Sequence, residues 1–162
     1  MPSDLPGASL SPESHAGTRR ERPSASRAVA AESAPGWRVL YVDDDPIARL
    51  MMQATLERLC PEAELALAGS GAEALDWAVT GMADVVVSDM QLGDVHGTAL
   101  IGGLRRTPGC ASARFVALSG DDSATANALA VGFAEFWLKP VDITEVARQL
   151  RRLALQGRRL PE

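Results

Sequence analysis

The chain has 162 residues, room for one ordinary domain with some length left over, and 46% of it is hydrophobic, enough to bury a core. Only 4% is aromatic, so that core is built from Ala, Val and Leu. A net charge of −5 argues against a dedicated nucleic-acid binder, and no apolar run reaches the roughly 20 residues that a membrane span needs. No apolar signal region stands at the N-terminus. Cys60 and Cys110 lie far apart, with no CxxC or Cys/His cluster, and read as reduced thiols. A cytoplasmic protein without nucleic-acid or membrane partners is expected.

Residues 1–36 carry five prolines among Ser, Ala, Gly and mixed charge, with no hydrophobic period, and are predicted to be a disordered tail. The pattern changes at Trp37. The run 37–42 (WRVLYV) is a short apolar strand that ends in acids. Pro46 suits the first turn of a helix, whose apolar face is Ile47, Leu50, Met51 and Ala54 and which stops at Pro61. Residues 64–68 (ELALA) form a second strand. Ser70 and Glu73 are a capping box that opens a helix to about Thr80. Residues 83–87 (ADVVV) are a strand, 98–106 a helix, 114–118 (RFVAL) a strand, 123–131 an Ala-rich helix and 134–138 (AEFWL) a strand. Asp142 and Glu145 open a last helix to about Leu155, leaving a short tail at 156–162.

Strand and helix thus alternate five times, and the central strands are apolar on both faces, as in buried parallel sheets. The fold class is α/β: a flavodoxin-like, doubly wound parallel sheet of five strands in the order 2-1-3-4-5, with five helices. Ligands of such sheets bind beyond the carboxyl ends of the strands, beside strands 1 and 3.

The residues at those ends carry the chemistry. Strand 1 runs into Asp43-Asp44-Asp45, strand 3 into Ser88-Asp89, strand 4 into Ser119-Gly120 and strand 5 into Lys139-Pro140. Carboxylates brought close together repel, and a hard divalent cation with oxygen ligands relieves them; Mg²⁺ also keeps places open for phosphate oxygens. Asp89 between such an ion and an ammonium can attack phosphorus, with Lys139 stabilising charge on the equatorial oxygens and Ser119 donating to a phosphoryl oxygen. Of the 16 Lys and Arg residues only Lys139 is a lysine, which suits a position that needs a compact point charge. Taken singly, each feature is a common turn or cap, and Asp45 before Pro46 is assigned that duty. All four together, in order on adjacent strand ends, are not.

From about Arg38 to Leu155 the chain resembles the receiver domain of two-component response regulators. Asp43-Asp44 match the acidic pair of that family, Asp89 (eight residues before Gly97) its phospho-acceptor, Ser119 its Ser/Thr, and Lys139-Pro140 its Lys-Pro, typically joined by a cis bond. The resemblance implies that Asp43, Asp44, Asp89 and the backbone carbonyl of Gln91 hold Mg²⁺. It implies a phosphohistidine donor on a histidine kinase or histidine phosphotransfer protein, and a self-phosphorylating acceptor rather than a turnover enzyme. It also implies a switch in which Ser119 and the strand-5 aromatic Phe136 move together. Few residues follow Lys139, so output is expected through a downstream protein target, met on the face of the fourth helix, fifth strand and fifth helix. Arg148, Arg151, Arg152, Arg158 and Arg159 lie near the end of that face and suit a helix C-terminus.

The sequence departs from the family at Gly93, often Pro, and at His96, often Asp or Asn; His96 reads as an exposed loop residue rather than a metal ligand. Two other functions are open to these residues. A phosphatase of the haloacid-dehalogenase type would use Asp43 as nucleophile with Asp45 as acid/base, but would need a further acidic pair on a strand after the lysine. A phosphorylation-independent binding module usually lacks an acid or the lysine. A dinucleotide enzyme is not expected, since no GxGxxG follows strand 1.

Overall fold

The computed structural model describes residues 36–157. Of the predicted tail at 1–36, residues 1–35 lie outside that span, as do the residues after Gly157. The elements are β1 (Trp37–Val42), α1 (Pro46–Leu59), β2 (Ala63–Ala68), α2 (Gly71–Ala78), β3 (Val85–Asp89), α3 (Gly97–Leu104), β4 (Arg114–Ser119), a 3₁₀ turn (Asp122–Ala124), α4 (Thr125–Val131), β5 (Glu135–Leu138) and α5 (Ile143–Gly157). All five strands are parallel and lie in the order β2-β1-β3-β4-β5, as expected.

Strand alternation divides the core into two layers. Leu40 and Val42 of β1, Val86 of β3, and Phe115 and Ala117 of β4 pack toward α2, α3 and α4. Val39 and Tyr41, Val85 and Val87, and Val116 and Leu118 pack toward α1 and α5, against Met52, Leu56, Leu150 and Leu153. This explains why the three central strands read as unbroken apolar runs. The edge strands β2 and β5 are only half-buried.

The helix starts follow their local chemistry. Asp45 N-caps α1, its Oδ1 accepting from the Ile47 amide at 2.9 Å, as predicted for Asp45 before Pro46. Ser70 accepts from the Glu73 amide at 3.1 Å, and the Glu73 carboxylate reaches back to the Gly69 amide at 2.6 Å, one residue beyond the usual box. At α5 the Glu145 amide donates to Asp142 Oδ1 at 2.9 Å.

Some predicted boundaries move. The third strand is displaced by two residues, beginning at Val85 rather than Ala83. Ala83 instead donates its amide to the Gly109 carbonyl and Asp84 to the Arg38 carbonyl, so the ladder opens only at Val39↔Val85. Ser88 and Asp89 are thereby the last residues of the strand itself. The predicted 123–131 helix opens as a 3₁₀ turn capped by Asp121, and α5 runs two residues past Leu155.

Candidate functional site

Each residue of the site is set by a strand ladder that continues past the end of its strand. The Asp43 amide donates to the Ala68 carbonyl at 3.1 Å, the Met90 amide to Leu118 at 2.9 Å and the Lys139 amide to Ser119 at 2.8 Å. Backbone direction at Asp43, Asp89 and Lys139 is therefore fixed by the sheet rather than by loops. The Lys139–Pro140 bond is cis.

The side chains converge. Carboxylate oxygens of Asp43, Asp44 and Asp89 all lie within 4.8 Å of one another, with Asp43 and Asp89 buried and Asp44 exposed. Lys139 Nζ is 2.8 Å from Asp89 Oδ2 and 3.4 Å from Asp43 Oδ2. Burial disfavours the ammonium, but its hydrogen bond to Asp89 and the charges of Asp43 and Asp89 outweigh that, and the Lys139 pKa lies above its ordinary value. Asp89 Oδ1 accepts from the Gln91 amide at 2.9 Å, a contact of that residue's N–H and not of the carbonyl expected to meet a cation. Ser119 stands buried at the end of β4, its Oγ accepting from the Asp121 amide at 3.1 Å.

Phe136 lies apart from this polar group. It pairs with Ala117 across β4 and β5 and packs, half-buried, against the core under α2–α4. His96 is not directed at the acids. It is the N-cap of α3, with Nδ1 2.8 Å from Thr98 Oγ1.

Three residues of the site were not singled out from sequence. Tyr41 donates its hydroxyl to Asp43 Oδ2 at 2.8 Å. It stands two residues before Asp43, and the strand period of two puts both on one side, which is a readable signal. Arg49 Nη1 donates to the Asp43 carbonyl at 2.6 Å. Asp94 spreads its carboxylate over the Gly71 and Ala72 amides, both at 3.0 Å, tying the loop after Asp89 to the start of α2. Those two amides, Gly71 first, hold the Asp94 carboxyl below the usual carboxylate range. The same junction explains two glycines. A Cβ on Gly71 would collide with Val95, and one on Gly97 would sit 3.0 Å from the Asp89 carbonyl oxygen.

The donor set is all oxygen, carries three carboxylates against one ammonium, and fits a hard divalent cation such as Mg²⁺. The arginines of α5 do not form an open basic patch. Arg148 pairs with Glu145, Arg151 with Glu62 and Arg152 with Glu135. Arg158 and Arg159 lie outside the described residues.

Comparison with known proteins agrees with this geometry. Residues 39–151 match the family model of the response regulator receiver domain. A cyclic di-GMP phosphodiesterase response regulator of Xanthomonas campestris is 28% identical over 73% of the chain, which spans only 32% of that relative's length. An uncharacterized 14.6 kDa protein of Leptolyngbya boryana is 30% identical over 72% of this chain and 89% of its own. Among solved structures, the chemotaxis response regulator CheY4 of Vibrio cholerae superposes with a TM-score of 0.65 at 26% identity, covering 72% of this chain and 98% of CheY4. The receiver domain of a Pseudomonas aeruginosa sensor histidine kinase, solved with a magnesium ion in its active-site cleft, gives a TM-score of 0.65 at 23% identity over 74% of this chain and 98% of its own. With two-thirds of its length matched in one block and the strand order to go with it, this chain belongs to the response regulator receiver domain family.

Proposed function

We propose that the protein is a phospho-acceptor switch in a two-component or phosphorelay system, taking a phosphoryl group on Asp89 from a phosphohistidine. The observation that carries this reading is the meeting of three carboxylates within 4.8 Å of one another with Lys139 2.8 Å from Asp89. Asp43, Asp44, Asp89 and the Gln91 carbonyl would hold Mg²⁺, which when bound supplies positive charge against the phosphoryl oxygens.

The chain's own residues do the rest. An Asp89 carboxylate oxygen attacks phosphorus; the O–P bond forms as the P–N bond to the donor imidazole breaks, and the electron pair leaves with the nitrogen. Lys139, held cationic by its two carboxylate contacts, moves its ammonium to the transferred group once Asp89 has become an acyl phosphate, a mixed anhydride. The Ser119 hydroxyl donates to a phosphoryl oxygen. Withdrawal of Ser119 toward the phosphate leaves room at the β4–β5 edge into which Phe136 turns, changing the surface offered to a downstream protein. Phe136 has no hydroxyl, so that contact is made by packing.

The phosphatase reading finds no support in the geometry. The Asp45 carboxylate, which that chemistry needs as acid/base, is spent on capping α1.

The test is incubation with a small acyl phosphate, with and without Mg²⁺, read by intact mass. A Mg²⁺-dependent gain of one phosphoryl group, absent in Asp89→Asn, is expected. No gain under any condition would leave a binding module that has kept the motif without the chemistry. A gain that survives Asp89→Asn but not Asp43→Asn would overturn the assignment of Asp89.

A further inference from the structure

The chain's single tyrosine, Tyr41, is 3% exposed, and its hydroxyl reaches Asp43 Oδ2 at 2.8 Å. We propose that Tyr41 is a positioning residue for divalent-cation binding: its hydroxyl holds the Asp43 carboxylate turned toward Asp44 and Asp89. This inference rests on the metal-site reading given above.

Without a cation, three carboxylates within 4.8 Å push one another apart, and a buried Asp relieves that push by rotating its carboxylate. Two donors oppose the rotation, one on each oxygen. The Asp45 amide holds Oδ1 at 3.0 Å and Tyr41 holds Oδ2 at 2.8 Å. With one oxygen pinned the group can still swing; with both pinned its plane is fixed. Lys139 is a poor substitute, because it sits at 3.4 Å from this oxygen and gives its short contact to Asp89.

Tyr41 is well suited to the task. Its ring packs in the layer under α1 and α5 with Met52, Leu118 and Val146, so the hydroxyl is delivered by a side chain anchored in the core. Second-layer donors of this kind typically change metal affinity by about 10–100-fold when removed.

Tyr41→Phe keeps the ring and deletes only the donor. The expected result is a Mg²⁺ Kd weakened about ten-fold by calorimetry. Phosphorylation by an acyl phosphate should slow at limiting Mg²⁺ and recover at saturating Mg²⁺. Thr107→Val serves as control: it deletes a hydroxyl that donates to the Leu104 carbonyl at 2.6 Å, beyond the end of α3, and should cost thermal stability without moving Kd. Because there is one tyrosine, its Raman doublet should report a strong hydrogen-bond donor in the unaltered protein. A Tyr41→Phe Kd within about two-fold of the parent, a control that moves Kd as far as Tyr41→Phe, or a Raman signal of a non-donating phenol each overturns the proposal. A parent protein that binds no Mg²⁺ overturns the site reading and this inference together, whereas a parent that binds normally and a variant that binds equally well overturn only the role of Tyr41.

Discussion

The two ends of the sheet treat charge in opposite ways. At the amino ends of the strands, acids meet cations one for one on the surface. Arg38 pairs with Glu64 at 3.2 Å, and Arg151 with Glu62 at 2.7 Å, while the indole of Trp37 adds a second bond to Glu62. At the carboxyl ends, among the described residues, three carboxylates lie together, and the ion pairs of one lysine reach the two that are buried. Exposed one-to-one pairs are worth little and demand little. A buried cluster with excess negative charge raises the free energy of the folded chain until something cationic arrives. One end of the molecule is therefore finished by folding alone, and the other, on the function proposed above, is completed by a cation.

Four measurements sharpen or break that contrast. Lys139→Met removes the one cation of the acid cluster and should slow phosphorylation by an acyl phosphate about 10²–10³-fold, as loss of a transition-state charge partner does; a rate within a few-fold of the parent would place the needed charge elsewhere. Mg²⁺ should stabilise the folded protein by ~2.7 kcal/mol at about 100 times its Kd, read as a rise in urea midpoint that Ca²⁺-free chelation reverses. No rise would mean that the carboxyl end is as self-sufficient as the amino end. Asp44→Asn relieves part of the repulsion and should raise metal-free stability by about 1 kcal/mol, the size of one close like-charge pair in water-like surroundings, while abolishing the Mg²⁺ effect. Loss of stability instead would show that Asp44 is a structural acid.

The smallest effect belongs to the amino end. Arg151 holds the Glu62 carboxyl below its ordinary value, chiefly by its hydrogen bond. A depressed folded-state pKa contributes stability that is complete above the unfolded value and is lost as pH falls through the folded one. Glu62→Gln should therefore cost at most about 1 kcal/mol at neutral pH, and the difference from the parent should vanish in acid. A difference that persists in acid would assign the loss to packing rather than to charge.

Most of the fold was legible because strand and helix periods are strong in this chain. The apolar runs at 37–42 and 114–118 sit in the middle of a two-sided core, and the caps at Asp45, Ser70 and Asp142 work through local hydrogen bonds that sequence spacing reveals. The third strand slipped by two residues because its start is decided by pairing with β1 and β4, a long-range matter that ADVVV alone does not carry. The strand-end residues Asp43, Asp44, Asp89 and Lys139 were legible once the parallel order was assumed, since that order brings their ends to one rim. Asp94 was not, because it lies in a loop and its partners Gly71 and Ala72 stand more than 20 residues away at the start of α2. His96 was read as an exposed loop residue and is exposed; the turn geometry adds that it caps α3.

The two cysteines fall one to each side of the sheet. Cys110 belongs to the layer under α2–α4 and Cys60 to the layer under α1 and α5, and both are fully covered, with thiol pKa values pushed up by burial. A thiol in that setting reacts only when its own layer opens. The protein thus carries a separate clock for each side. The rate at which an aromatic disulfide labels Cys60 times the loosening of one helical layer, and the rate at Cys110 times the other, without any probe having to be added to the chain.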